Sequence, residues 1–377
     1  MTDFAFPGTM DVTSFDASLV PNVRQTTSPL GGSGQVIDLL GERWRFVVGI
    51  PQSARLDSGA QEAFLNRLKG GANRALLWHM ARPLPIGTLG GSPTVNGAVA
   101  QGASSLVLAG AYPRSNLLRF AQEFDNAGWT KSASVSVTAN ATTAPDGTTT
   151  ADKLAEAVTT SLTFNASQAA GSFTAGQSAT YSVYVKAAER TQAMIRILAG
   201  GAFGTTAYVY VDVSAGTITF ASGVTASSVT PAGNGWYRFS ITAIASGSGS
   251  CSCSVFLASS NINTYPGVVG NGLFVWGAQL ESGTDTTAYI GFGTLLAGDM
   301  IGVNGMLLQV ADDATANSAG AMTVNLVNRC RKSIANGAAV TWNQPTSTFK
   351  PVETGGLVTS HSGRIVRETQ IEFLEDW

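Results

Sequence analysis

Tyr208 and Tyr210 alternate within the run Ala207–Val213. In an extended strand, residues two apart share a face and lie ~7 Å from one another at a rise of ~3.3–3.4 Å each. Two aromatic rings at that spacing can underlie adjacent sugar rings. Tyr237, in Gly235-Trp236-Tyr237-Arg238, joins them as an outward-facing residue if Trp236 anchors the core. The competing reading makes the tyrosines core, because each strand of a sandwich has one inward face. A second constellation is rich in oxygen. Asn116, Glu123, Asp152 and Gln279, with Asp125 and Glu281 near them in the fold, could converge on a calcium ion, which takes six to eight oxygen ligands. No cofactor is expected, with a structural calcium as the one alternative. Its rival is a seam in which the same groups accept backbone N–H bonds.

Catalysis is not expected, and the chain is read as a non-enzyme. Only His79 and His361 are present. His361 sits in Ser360-His361-Ser362-Gly363, a turn with nothing like a strand-to-helix nucleophile elbow. Glycoside hydrolysis needs a pair of carboxylates across a groove, and the acids here are scattered. Cys251 and Cys253 fall two apart on an alternating run, so they share a face of one strand. That geometry does not suit a disulfide, and no histidine is near enough in sequence for a zinc site. With Cys330 they read as small buried fillers.

The elements that would position these residues are strands. Between Asn116 and Glu281 the chain alternates apolar and polar residues in short Thr-, Ser-, Ala- and Gly-rich runs. Strands are expected at Ala133–Asn140, Leu162–Asn165, Ala179–Ala187, Ala193–Leu198, Ala207–Val213, Thr217–Phe220, Gly235–Ile244, Cys251–Leu257 and Leu273–Leu280, which implies a sandwich. Ala151–Glu156 is an ambiguous strand that also carries helix formers. The flanks look incomplete alone. They hold strands at Trp44–Ile50 and Arg74–His79, with one helix between them: Ala60, Phe64 and Leu68 recur at helical spacing, Asp57 or Ser58 caps it, and Gly70-Gly71 ends it. Ser105–Ala109 is a strand without a neighbour, and its partners are expected beyond Gly293. There, Asn304-Gly305 joins two apolar runs, the strongest short hairpin signal. Arg364–Leu374 alternates cleanly. The fold class is therefore mainly β: a sandwich or barrel host domain with one helix, 1–114 plus 292–377, interrupted by an inserted β-sandwich at 115–291.

Composition narrows the partners. Charged residues are 12% of the chain, against about 25% in typical soluble domains. The net charge is −2, and no basic cluster exists for phosphate neutralisation, so nucleic acid is excluded. Arg329-Cys330-Arg331-Lys332 is read as a solvated strand end. No run of about 20 apolar residues exists to span a membrane. Met1-Thr2-Asp3-Phe4 opens no secretory signal, so synthesis in a host cytoplasm without export is expected.

The central block resembles the carbohydrate-binding-module-like jelly rolls of bacteriophage tail proteins. The matching residues are Asn116-Leu117-Leu118, Gln122 to Lys131, Ala144 to Leu154, Tyr181 to Ala187, Gly235 to Arg238, and Trp276 to Gly283. The flanks are similar to tail-tip proteins of long-tailed phages of the distal-tail or minor-tail kind. Here the matching blocks are the strand–helix–strand through Trp44, Leu68 and Trp78, Leu296 to Gly302, Leu307 with Gln309 and Val310, Ala338-Ala339-Val340, and Phe349. The flanks depart from that family in carrying the large insert and in having Arg329-Cys330-Arg331 where a Pro-Arg-Leu-like stretch is usual. The resemblance implies a structural protein of the virion tail tip, a homo-oligomeric ring, hexameric by family, between tail tube and baseplate hub. Its outward module would contact host cell-surface polysaccharide. The alternatives are a sugar-active enzyme subunit (a depolymerase) or a host-adhesion protein. A ring subunit must bury apolar rims against its neighbours. Trp342, Phe373 and Trp377 are the residues expected to do so.

Overall fold

The computed structural model describes residues 1–8, 10–27, 31–32, 34–51, 53–353, 361–362, 365–366 and 368–376. It is mainly β, with one α-helix, Arg55–Leu68, among the described residues. No sheet closes into a barrel. The chain divides into two compact units. One comprises Met1–Ala111, Thr294–Ala316 and Gly320–Trp377; the other comprises Tyr112–Gly293 with Asn317–Ala319.

The central unit is a sandwich of two six-stranded antiparallel sheets. The first runs, in spatial order, Thr130–Lys131, Asn165–Phe173, Gly249–Ala258, Gln192–Ile197, Ala207–Asp212, Thr217–Ser222. The second runs Val135–Thr142, Ala151–Glu156, Gly272–Ser282, Ser178–Ala187, Trp236–Ile244, Ala226–Gly233. Ile195, Val209 and Val255 from the first sheet share one apolar core with Tyr181, Phe239 and Leu273 from the second. Cys251 and Cys253 are buried in that core with their sulfurs 3.7 Å apart. Two strands lacked a sequence signal. Asn165–Phe173 contains no β-branched residue, and Ala226–Gly233 contains Pro231. Proline is tolerated there because the strand is at an edge, where an N–H can be missing without breaking a ladder. Ala151–Glu156 is a strand despite its helix formers, since it is hydrogen-bonded on both sides, to Val135–Thr142 and to Gly272–Ser282. Burial in a sheet overrides intrinsic propensity.

The other unit is built from both flanks. Its main sheet has the order Asp3–Ala5, Arg74–Leu77, Ser347–Pro351, Thr369–Glu375, Arg43–Ile50, Ser14–Val20. Phe64, Leu65 and Leu68 of the helix share a core with Phe46 and Phe349, whose rings stack at 4.5 Å. The helix begins at Arg55, so Asp57 and Ser58 lie inside its first turn; their side chains are outside the described residues. Ser105–Ala109 pairs on one side with Met322–Asn325, Leu106 opposite Val324, as expected, and on the other with Thr94–Val95, so it is not without a neighbour in its own flank. Strands Met300–Val303 and Met306–Gln309 form the expected hairpin. Asn304 and Gly305 take φ of 49° and 73°, the two positive values that a type I′ turn requires.

Two expectations are corrected here. Phe373 is 1% exposed, in a strand flanked on both sides within its own sheet, so it is a core residue and not an assembly rim. Arg331 is not solvated: its guanidinium bonds both carboxylate oxygens of Glu375 at 2.6 and 2.7 Å in the buried interior. Arg329, by contrast, is a half-exposed partner of Asp38. Trp377 lies outside the described residues.

Candidate functional site

The outer face of the first sheet carries an aromatic cluster. Alternation turns Val209 and Val211 inward and Tyr208 and Tyr210 outward. Tyr208 and Tyr210 do not lie as two parallel plates, because their rings meet edge to face at 5.8 Å. Tyr210 is only 8% exposed, and its hydroxyl is bonded by the Asn263 backbone. Burial is the main cause that pushes its phenol pKa upward. Tyr208 is half-buried and stands beside Phe220, 5.9 Å away and tilted by 32°. Phe220, 46% exposed, is the most open ring of the cluster. Sequence reasoning passed over it: Ile218, two residues earlier, packs on the core, so plain alternation would turn Phe220 inward, and only the register shift between Tyr210–Phe220 and Val211–Ile218 brings it out. Arg196 lies opposite Tyr208 in register, and its guanidinium is 4.4 Å above the Phe256 ring. Its Nε is buried without a hydrogen-bond partner among the described residues. Burial lowers its pKa.

Tyr237 does not join this face, which corrects the sequence reading. It belongs to the second sheet and to the inward row with Phe239 and Ile241, and its ring packs on the sandwich core. Gly216, at φ 63°, fits against that ring; a Cβ there would come within 2.1 Å of it. Trp236 takes the outward position instead. It is buried in a small cluster with Ala144, Ala151 and Trp276, and its indole N–H donates to the Thr143 carbonyl.

Three of the four proposed calcium ligands, Asn116, Asp152 and Gln279, act as backbone clamps. Asn116 accepts N–H bonds from Leu118 and Leu280 and donates to the carbonyls of Ala278 and Ile290. Gln279 accepts from the Ile290 amide and donates to Ala288. Asp152 accepts from the amides of Phe124, Asp125 and Asn140. Glu123 accepts from the side-chain amide of Asn126. No group of three or more His, Cys, Asp or Glu arranged to hold a metal exists among the described residues. The competing reading, carboxylates and amides that satisfy the seam, describes what these side chains do.

Asp152 has a measurable signature. It is 1% exposed, and burial raises its pKa from 3.8 to about 6 against the pull of its three amide donors. A raised acid binds its proton more tightly folded than unfolded. Its stabilising contribution is therefore complete below about pH 3.8 and is lost as pH rises through about 6. Asp152→Asn is expected to remove that slope. Denaturant titrations at pH 4 and pH 7 should show wild type losing about 1–3 kcal/mol relative to the variant over this interval. Equal slopes in the two proteins would show that the carboxyl does not titrate there.

In the flank-built unit, Trp342 packs partly buried on its own core and donates its indole N–H to Gly91. The exposed apolar surface lies elsewhere. The hairpin Val23–Thr27 with Gly34–Asp38 is exposed along both strands, and Val23, Val36 and Ile37 stand on it in solvent, with Leu39 just beyond. His79 is set between Phe15 and Phe46, with its pKa lowered by burial and then by Arg82. The side chain of His361 is outside the described residues.

No family model and no curated protein sequence matches the chain. Among solved structures, it is similar to the tailspike protein 4 enzymatically active domain of bacteriophage CBA120, with 16% identity and a TM-score of 0.30. The match covers 45% of this chain and 21% of that one, so this chain spans about a fifth of its neighbour's length. The neighbour is described as enzymatically active, and the exclusion of catalysis drawn from the sequence is withdrawn. At that TM-score the likeness transfers neither residues nor substrate to this chain.

Proposed function

We propose that this chain is a saccharide-contacting component of a long-tailed phage tail tip. In this reading the flank-built unit assembles and the central sandwich presents the contacting face. The observation that carries the saccharide part is the outward row of Phe220 and Tyr208, with Arg196 opposite Tyr208. Open aromatic faces beside a cation suit the apolar faces and hydroxyls of sugar rings. The sequence blocks shared with tail-tip proteins support the assembly part, as does the exposed Val36–Ile37 hairpin, an apolar surface that a neighbouring subunit would cover. A homo-oligomeric ring, six-membered on the family resemblance and placed between tube and hub, would repeat each weak sugar contact and raise avidity without any tight single site.

Retention on immobilised host polysaccharide tests the reading. The pair Tyr208→Ala with Phe220→Ala is expected to weaken retention about tenfold, roughly 1.4 kcal/mol. Unchanged retention by a folded double variant would remove this face from consideration. Electron microscopy of the purified chain should show rings. Monomers that release reducing ends from the polysaccharide would instead establish the sugar-active enzyme.

A further inference from the structure

The second sheet of the sandwich has its own outward feature, separate from the aromatic row. A groove of about 780 Å³ runs across its outer face. That lies within the range of roughly 300–1,000 Å³ usual for small-molecule sites. Its floor is Tyr184, Arg238, Ser240 and Thr242, its far wall is the edge strand with Ser228, and the segment Thr284–Ala288 overhangs it.

Arg238 is the group that asks for a ligand. It is 8% exposed, yet no carboxylate among the described residues forms an ion pair with it. Its Nε and Nη2 donate to the Ser182 hydroxyl at 3.2 and 2.9 Å, and its Nη1 donates to the Thr287 carbonyl at 2.6 Å. A guanidinium has five N–H groups, so two remain beyond these three bonds. The nearest compensation is indirect: Glu281 accepts from the amide and hydroxyl of Thr287, one residue removed from Arg238. Asp285, in the wall, is exposed. Burying a cation without a paired anion is costly, and a carboxylate that fits the guanidinium fork relieves that cost. The rest of the groove is suited to a sugar. Tyr184 offers a ring whose centroid lies 5.3 Å from the guanidinium carbon, and the hydroxyls of Ser228 in the wall and Ser240 in the floor are hydrogen-bonded to each other at 2.7 Å.

We propose that this groove binds a carboxylate-bearing saccharide, a uronic-acid unit whose carboxylate meets Arg238 while its ring lies along Tyr184 and the hydroxyl row. It is a second site, independent of the face carrying Tyr208 and Phe220.

Calorimetric titration of the full chain at low salt tests it. The probes are a galacturonate trisaccharide, the same trisaccharide fully methyl-esterified, and acetate. The expected result is binding of the charged trisaccharide at least tenfold tighter than either other probe. Arg238→Met should abolish that preference. Arg238 also tethers the Thr284–Ala288 segment, so Ser228→Trp serves as a second variant: it fills the groove from an exposed edge position and should lower affinity at least tenfold at an unchanged melting temperature. Equal affinity for the acid and its ester overturns the proposal, as does acetate binding equal to that of the trisaccharide. So does undiminished binding by a folded Ser228→Trp variant.

Discussion

Glu375→Ala is expected to unfold the flank-built unit while leaving the sandwich intact. The Glu375 carboxylate is fully buried and serves four donors: two arms of Arg331 at 2.6 and 2.7 Å, the Ser347 hydroxyl at 2.7 Å, and the Trp44 amide at 3.1 Å. Truncation leaves a buried guanidinium without its anion. Breaking such a pair from one side costs about 3–5 kcal/mol, a large share of the ~5–15 kcal/mol that holds a typical domain together. Differential scanning calorimetry should show the transition of this unit lost or shifted down by many degrees, with the sandwich transition unmoved. Replacing both partners, Arg331→Leu with Glu375→Leu, should recover much of the loss, because no charge is then stranded. A single-site cost below 1 kcal/mol would mean that the pair is not buried in solution.

Glu156→Ala should damage the sandwich to a similar degree, about 3–5 kcal/mol. Glu156 is also fully buried. Arg190 meets it with two bonds, at 2.6 and 2.9 Å, the Tyr265 hydroxyl donates at 2.6 Å, and the Val268 amide donates as well. The Arg190 guanidinium also lies 4.9 Å from the Tyr265 ring centroid. One carboxylate thus pins the segment around Tyr265 and Val268 to strand Ala151–Glu156. Burial pushes the Glu156 pKa up, but the bonds from Arg190, Tyr265 and Val268 outweigh it, and the net value falls below 4.5. A lowered acid contributes stability above its unfolded pKa, and that stability disappears as pH falls through the folded value. Glu156→Ala should therefore flatten the acid limb of the sandwich's stability curve. The pH dependence assigned to Asp152 has the opposite sign, so the two variants separate contributions that overlap in wild type. Limited proteolysis near Val268 should accelerate in Glu156→Ala. Resistance equal to wild type would argue against the clamp.

The same residues show what a single sequence reveals and what it hides. Period-two alternation located Ala207–Asp212, Trp236–Ile244 and Gly272–Ser282, because each turns an apolar row into the core, although in the last two the other face is covered as well. The Asn304-Gly305 turn was legible from local chemistry, and Ser105–Ala109 was matched to a strand beyond Gly293, but its other neighbour, the two-residue strand Thr94–Val95, gave no signal. The direction of Tyr237 was not. A strand's faces exchange with a shift of one residue, and Trp236 is buried on the outer side, by Ala144 and Trp276, rather than in the main core. Taking the tryptophan as the core marker reversed the assignment. The clamps were hidden for another reason. Arg331 with Glu375, and Glu156 with Arg190 and Tyr265, join positions whose pairing depends on register, so neither local pattern nor composition announces them. The aromatic face was half legible. Alternation put Tyr208 and Tyr210 outside, but the covering of Tyr210 by Asn263 and the openness of Phe220 follow from strand neighbours.

The strand Thr369–Glu375 lies between Ser347–Pro351 and Arg43–Ile50. Translation delivers Arg43–Ile50 early and its neighbour late, with every strand of the sandwich emerging in between. Trp44, Phe46 and Val48 must therefore wait on the nascent polypeptide with one ladder edge unmet, while the sandwich has all twelve of its strands to hand and can condense. Unpaired edges of this kind invite aggregation. A ribosome that stalls shortly after Gly293 would thus release a folded sandwich trailing a sticky, unfinished leader.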